Sequence, residues 1–257
     1  MSGPLLRLVD VCKSYGAVQA LWNVSFDVAA GEVVGLVGDN GAGKSTTAKI
    51  IAGALTADSG SVMFDGEARR WGSPREAHGA GIEMLYQDMG LAPELSVAAN
   101  MYLGRELRLN GPLGRLGILD RAAMAKGAEG ALRELHVNVP SGDYPAADLS
   151  GGQRQAVAIG KSFMWTKRLL LLDEPTNHLG TSGTREALDL IRRLRDHGAG
   201  VVFISHTIPY VLDVCDRIVV LWQGHVAAVM SSREATVEHV VAEITGSRAA
   251  MHSGPRG

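Results

Sequence analysis

A chain of 257 residues with 46% hydrophobic and 20% charged residues has enough apolar material for one large or two small globular cores. Its formal net charge of −2 gives no broad electrostatic reason to bind nucleic acid or an acidic membrane surface. Its two cysteines, Cys12 and Cys215, stand far apart and outside any metal-ligand spacing, which suits a reducing compartment and argues against a disulfide scaffold.

Residues 1–11 carry Arg7 and Asp10 and lack a long apolar stretch, so they read as a first strand over 6–11 rather than as a signal peptide. Val24, Phe26 and Val28 alternate with Ser25 and Asp27, the period of a half-buried strand. The apolar run 32–37 ends in a glycine-rich loop. A helical pattern follows over 45–55, with Ile50 and Ile51 facing inward and Gly53 near its end. Residues 61–64 read as a strand running into the turn dipeptide Asp65-Gly66.

From about 89 to 167, Ala, Leu, Glu and Arg dominate. Asp120 is placed to cap a helix over 120–135, and loops rich in Gly and Pro interrupt at 110–117 and 139–145, so this stretch reads as a helical insertion. Strand and helix then alternate again. Residues 168–172 form an apolar strand, and Ala187, Leu190, Ile191 and Leu194 mark one face of a helix. Residues 201–204 form a buried strand, and 217–221 with 226–229 a hairpin across Gln223-Gly224. Such alternation implies an α/β fold with a mostly parallel sheet covered on both faces. The runs 169–172 and 201–204 are much too short to cross a bilayer, and the tail from 247 is expected to fray.

Gly38, Asp39, Asn40, Gly41, Ala42, Gly43, Lys44 and Ser45 fit G-x-x-x-x-G-K-[ST], after a predicted strand and at the start of a predicted helix. Glycines let backbone N–H groups turn around phosphate oxygens, and the helix N-terminus adds a favourable dipole. Lys44 then neutralises the β- and γ-phosphates and Ser45 is a ligand for Mg²⁺, with Thr46 next in the nucleotide-binding set. The plain alternative is a glycine-rich turn with a chance lysine. Further on, 169–172 runs into Asp173 and Glu174: the first suits a metal-holding carboxylate, the second a general base for water. Taken alone, two acids after a strand are as readily a solvated strand end.

Leu149, Ser150, Gly151, Gly152 and Gln153 spell LSGGQ. The string resembles the signature of the ATP-binding-cassette family, and Ser150 with its glycines stands where a helix begins, again offering N–H donors. The resemblance spans about residues 5–246 and implies a phosphate-loop NTPase fold: a mostly parallel core, an antiparallel strand layer and a helical subdomain near 89–165. It implies that Tyr15, in Lys13-Ser14-Tyr15-Gly16, stacks on adenine. It implies that Gln87 links the metal site to the helical insertion as a metal and catalytic residue, and that His206 contacts the γ-phosphate. It also implies two cassettes closing head to tail, each ATP lying between the phosphate loop of one and the Ser150–Gln153 stretch of the other. A single copy of each motif makes a homodimer the simplest supply.

In Pro175-Thr176-Asn177-His178-Leu179-Gly180, Gly180 stands where many members have Asp. That glycine looks like the carbohydrate-importer branch, whereas Asn177-His178-Leu179 looks more like soluble translation-associated members. Tyr86-Gln87-Asp88, Leu95-Ser96-Val97 and residues 102–106 are similar to the carbohydrate-uptake subgroup. The resemblance therefore implies an importer subunit at the cytoplasmic face of the membrane, docked on transmembrane permease chains through the segment after Gln87. An external solute-binding protein would act on it indirectly. The other class, a soluble cassette acting on ribosomes or DNA, usually carries two cassettes on a charged linker, or coiled-coil or zinc insertions; none is visible here.

Overall fold

The computed structural model describes residues 3–86, 90–166, 168–177 and 179–246. The first alternating segments form strands β1 (Leu6–Tyr15) and β2 (Val18–Val28), longer than the expected 6–11 and 24–28, in an antiparallel pair. β1 also pairs with β4 (Ser59–Phe64), which turns through Asp65 (φ 53°) and Gly66 (φ 81°) into β5 (Glu67–Arg69). Two left-handed residues in a row match the right-handed twist of a hairpin, and Asp-Gly tolerates them. The sheet order is β2-β1-β4-β5.

A second sheet holds the site. Its strands are β3 (Val33–Gly38), β6 (Ile82–Leu85), β7 (Leu169–Asp173), β8 (Gly200–Ile204), β9 (Arg217–Trp222) and β10 (His225–Ser231), in the order β10-β9-β3-β8-β7-β6. All neighbours are parallel except β9 and β10, which form the expected hairpin across Gln223 (φ 47°) and Gly224 (φ 83°). β3, β8 and β7 up to Leu172 are apolar because both faces of the sheet are covered, one by the four-stranded sheet with the helix after β3 and the other by later helices, and every residue of β3 and β8 is buried. β6 escapes the sequence pattern because Glu83 sits within it. Its carboxylate is buried and accepts from Arg105 at 2.6 Å, which makes the burial tolerable.

Helix α1 (Lys44–Ile51) follows β3 and stops four residues before the expected 55, since the chain turns away at Gly53 (φ 73°). Helix α7 (Thr181–Asp196) buries Ala187, Leu190, Ile191 and Leu194, the stripe that their spacing demands. Three further helices leave little periodic signal at seven or eight residues each: α2 (Pro74–Ala80), α8 (Ile208–Val214) and α9 (Val237–Ile244).

Helices α3 (Val97–Met101), α4 (Pro112–Arg115), α5 (Arg121–Glu134) and α6 (Gly151–Trp165) occupy the middle of the chain. α3, α5 and α6 share an apolar cluster that includes Val97, Met101, Met124, Leu132 and Val157. The Trp165 indole donates to the Met101 carbonyl at 2.8 Å, tying α6 to α3. Asp120 caps α5 as expected, accepting from the Ala123 amide at 2.9 Å. The one-turn α4 corrects the expected loop at 110–117: Pro112 presets the backbone angle of a first helical residue, so a turn forms there. The expected frayed tail at 247–257 and Gln87 lie outside the described residues. Among the described residues no helix is long and apolar enough to cross a membrane.

Candidate functional site

β3 and β7 both lie beside β8, with Leu36 and Asp173 each registered on Ile204. Their carboxyl ends therefore open on one edge, the usual place for a ligand crevice in a parallel sheet. The loop after β3 supplies one wall. Gly38, Gly41 and Gly43 take φ of 153°, 80° and 107°. A Cβ on Gly38 would stand 2.3 Å from the Leu221 carbonyl oxygen, and one on Gly43 2.5 Å from a Leu21 methyl. Only glycine fits either position. α1 then begins at Lys44 with Gly43 as its N-cap and no side-chain cap, which leaves its first amides free for an anion.

Lys44 is buried and its ammonium donates to the carbonyls of Gly38 at 2.8 Å and Asp39 at 2.9 Å. Burial pulls its pKa below the ordinary lysine value, against the opposing pull of Glu174, Asp173 and Asp39. A cation held by two carbonyls near three acids remains available to phosphate.

The opposite wall comes from β7 and β8. Asp173 ends β7, and Glu174 follows with φ 51°, a left-handed backbone that is uncommon for a non-glycine residue. Its amide still donates to the Ile204 carbonyl at 3.0 Å. His206, two residues past β8, contacts Glu174 through Nδ1 at 2.9 Å from Oε1. A carboxylate can only accept, so the proton of this bond sits on Nδ1. The other oxygen, Oε2, is buried with no hydrogen-bond partner among the described residues. An orphaned buried acceptor is costly, and a water donating to it would remove that cost.

Both walls enclose a cleft of about 580 Å³. Of the residues singled out from sequence, Gly38, Asn40, Gly41, Gly43, Lys44, Ser45, Thr46, Asp173, Glu174 and His206 line it together. Ala42 does not: it is buried, its amide donating to the Asp39 carbonyl at 3.1 Å. Tyr15 is half-exposed at the end of β1 and outside the lining, with the Lys13 ammonium 6.0 Å from its ring centroid. Ala20, Asp39 and Asn177 line the cleft without having been singled out. Asp39 fills a variable place of the loop motif, and Asn177 is tied back by its amide to the Glu174 carbonyl at 3.2 Å. Ala20 comes from β2 of the other sheet, where no sequence signal points to it.

Ser150, Gly151, Gly152 and Gln153 lie apart from this cleft within one chain. They start α6 with a reciprocal capping box. The Ser150 hydroxyl accepts from the Gln153 amide at 3.2 Å, and the Gln153 side chain accepts from the Ser150 amide at 3.0 Å.

The Asp173 carboxyl is raised above its ordinary range, first by burial and then by the neighbouring Glu174, with Lys44 and Lys49 opposing. A raised folded pKa means that the folded state holds the proton more tightly than the unfolded chain. The group therefore costs stability as pH rises from the ordinary aspartate value through the folded one, and the cost is fully present above it. Asp173→Asn should consequently raise the Tm of the nucleotide-free protein at neutral pH. The gap to the native chain should close as pH falls into the carboxylate range, as thermal melts at a series of pH values would read.

The family description "ABC transporter" matches residues 21–177. The chain is 41% identical over 247 residues to the fructose import ATP-binding protein FrcA of Rhizobium meliloti, covering 95% of each. It is 39% identical over 241 residues to the xylose/arabinose import ATP-binding protein XylG of Sulfolobus acidocaldarius, covering 94% of each. Against the ribose import ATP-binding protein RbsA 1 of Burkholderia ambifaria it is 40% identical, but it spans only 47% of that protein. Among solved structures it resembles the ADP conformation of an ATP-binding cassette of an ABC transporter, with a TM-score of 0.80 and 26% identity, covering 98% of this chain and 100% of that one. A dimeric bacterial ABC transporter cassette superposes with a TM-score of 0.72 at 25% identity, over 90% of this chain and 100% of that one. With its strand–loop–helix turn over residues 38–45, its Asp173–Glu174–His206 wall and these relatives, the chain belongs to the ABC transporter family, as an ATP-binding-cassette ATPase.

Proposed function

We propose that this chain drives a sugar importer by binding and hydrolysing ATP in the cleft between the Gly38–Ser45 loop and Glu174. The observation that carries the hydrolytic part is Glu174, which lines the cleft: one oxygen is fixed by His206 and the other has no partner among the described residues. In this reading Lys44 leaves its two carbonyls for the β- and γ-phosphates, and the amides at the start of α1 cradle them. Glu174 accepts a proton from the attacking water through its free oxygen, while His206 holds the carboxylate in place and reaches toward the γ-phosphate.

Ser45 and Asp173 fit Mg²⁺, being a hydroxyl and a carboxylate on facing walls of one cleft. Among the described residues no group of three or more His, Cys, Asp or Glu makes a self-sufficient metal site, which suits an ion sharing its shell with phosphate oxygens and water. When bound, the ion neutralises phosphate charge. Gln87 is assigned to the same metal site by resemblance, and Tyr15 to the adenine ring.

The domain is taken as residues 1–246, with a helical subdomain at about 89–165. Ser150 and its two glycines serve the ATP of a second, identical subunit: they lie outside the chain's own cleft, and a related cassette is dimeric. ATP then joins two subunits, and its hydrolysis releases them.

The sugar-import assignment rests on the names of the relatives, and with it come permease chains, an external binding protein and a place on the inner membrane surface. Tyr86 and Leu103, on either side of the segment after Gln87, are exposed and line a second cleft of about 390 Å³ with Arg105 and Trp165, a surface suited to a permease loop. Purification of the tagged chain from membranes of its host tests the partner. Retention of a polytopic membrane protein encoded with it is expected, whereas retention of ribosomes would favour the soluble class.

A further inference from the structure

The helix bearing Ser150 and the helix that follows the hydrolytic loop touch backbone to backbone. A Cβ on Gly152 would stand 3.0 Å from the Gly183 Cα, and a Cβ on Gly183 would stand 3.1 Å from the Gly152 Cα. Neither neighbour is a flexible side chain that can swing away. Both glycines lie in the first turn of their helices, α6 and α7, where glycine costs about 1 kcal/mol of helix propensity relative to alanine. Gly183 is buried. Gly152 sits two residues after Ser150, inside the capping box that fixes the α6 N-terminus. Gly183 sits three residues after Gly180, on the segment that leads from Glu174 into α7.

We propose that Gly183 is a positioning residue: its bare backbone seats Gly152 and so sets where the start of α6 presents Ser150, Gly151 and Gly152. The contact joins the stretch that serves the partner's nucleotide to the loop that serves the chain's own. Movement at the start of α7 is thereby passed to α6 without an intervening side chain. The motif at 149–153 explains why position 152 is glycine for a phosphate; the packing explains why it is glycine for α7. No motif marks position 183.

The inference rests on the ATPase reading for its effect on turnover, but its structural half is separable. In Gly183→Ala the gain in helix propensity offsets the pressure of the new methyl on the Gly152 backbone, so the variant should fold with a Tm within a few degrees of native. It should bind ATP within about twofold of the native Kd, because residue 183 is outside the cleft. Its kcat should fall about tenfold or more, since sub-ångström displacement of a catalytic donor is felt steeply. Hydrogen exchange, which needs no ATP, should show faster exchange at the amides of residues 151–154 and no change at 38–45. A larger Gly183→Val should worsen both effects. Unchanged exchange at 151–154, or a native kcat, would overturn the proposal. A parallel loss of Tm and ATP affinity would also overturn it, by making position 183 merely structural. Failure of the native chain itself to bind ATP strikes the functional reading instead, and exchange at 151–154 still decides the positioning role.

Discussion

Glu174→Gln should bind ATP with close to native affinity while losing about two to four orders of magnitude in kcat, the usual worth of a positioned general base. The amide keeps the shape of the carboxylate and can still meet His206, whose Nδ1 lies 2.9 Å from Oε1. It cannot take a proton from water. With hydrolysis blocked and binding intact, ATP should hold two subunits together, so the apparent mass of the variant should double on adding ATP. Nucleotide titration by fluorescence, phosphate release and light scattering read the three parts separately. A variant that turns over at the native rate would remove Glu174 from the chemistry.

Lys44→Ala should act already on binding, before the hydrolytic step in which its contact to the γ-phosphate also counts. The ammonium is the one Lys or Arg cation lining the cleft among the described residues, and it shares that lining with Asp173 and Glu174. Its loss deprives bound phosphate of a charge-assisted partner and should weaken ATP binding about a hundredfold, equivalent to roughly 2–3 kcal/mol. The fold should tolerate the change. Burial depresses the Lys44 pKa, so the folded state pays for holding the charge; that cost is fully present below the folded pKa and is relieved as pH rises from there toward the ordinary lysine value. Removing the amine relieves the cost at neutral pH and offsets the two hydrogen bonds lost to Gly38 and Asp39. Calorimetric titration with ATP, beside a melt of the free protein, should therefore show lost affinity with a Tm held within a few degrees.

What the sequence made legible is what local chemistry imposes. The glycine-rich loop over 38–45 was readable because its glycines fall at backbone angles that no other residue adopts cheaply, directly between a buried strand and a helix. The hairpins at Asp65-Gly66 and Gln223-Gly224 were readable for the same reason. The α7 stripe followed from period alone. β6 was hidden because Glu83, neutralised by Arg105 from a distant part of the chain, breaks an apolar run only on paper. α8 and α9 were hidden by brevity.

At the cleft, Asp173, Glu174 and His206 could each be singled out from strand ends and resemblance. Their arrangement could not. The Glu174–His206 contact depends on β7 and β8 lying side by side, with Asp173 in register with Ile204, across a separation of 32 residues. Ala20 and Gly183 were invisible for a related reason: each matters through backbone proximity to another segment, Gly43 in one case and Gly152 in the other, and proximity leaves no residue-type signature.

The claim that each ATP site is built from two subunits can be tested by mixing two dead proteins. Lys44→Ala lacks a working phosphate loop, and Ser150→Arg blocks the start of α6; each alone should be inactive. In a head-to-tail pair of one with the other, the intact loop of the second meets the intact α6 start of the first, so one site per mixed dimer is whole. An equal mixture should recover roughly a quarter of the native hydrolysis rate, since about half of the pairs are mixed and each has one site of two. A mixture as inactive as its parents, or Ser150→Arg hydrolysing ATP at the native rate on its own, would contradict a shared site.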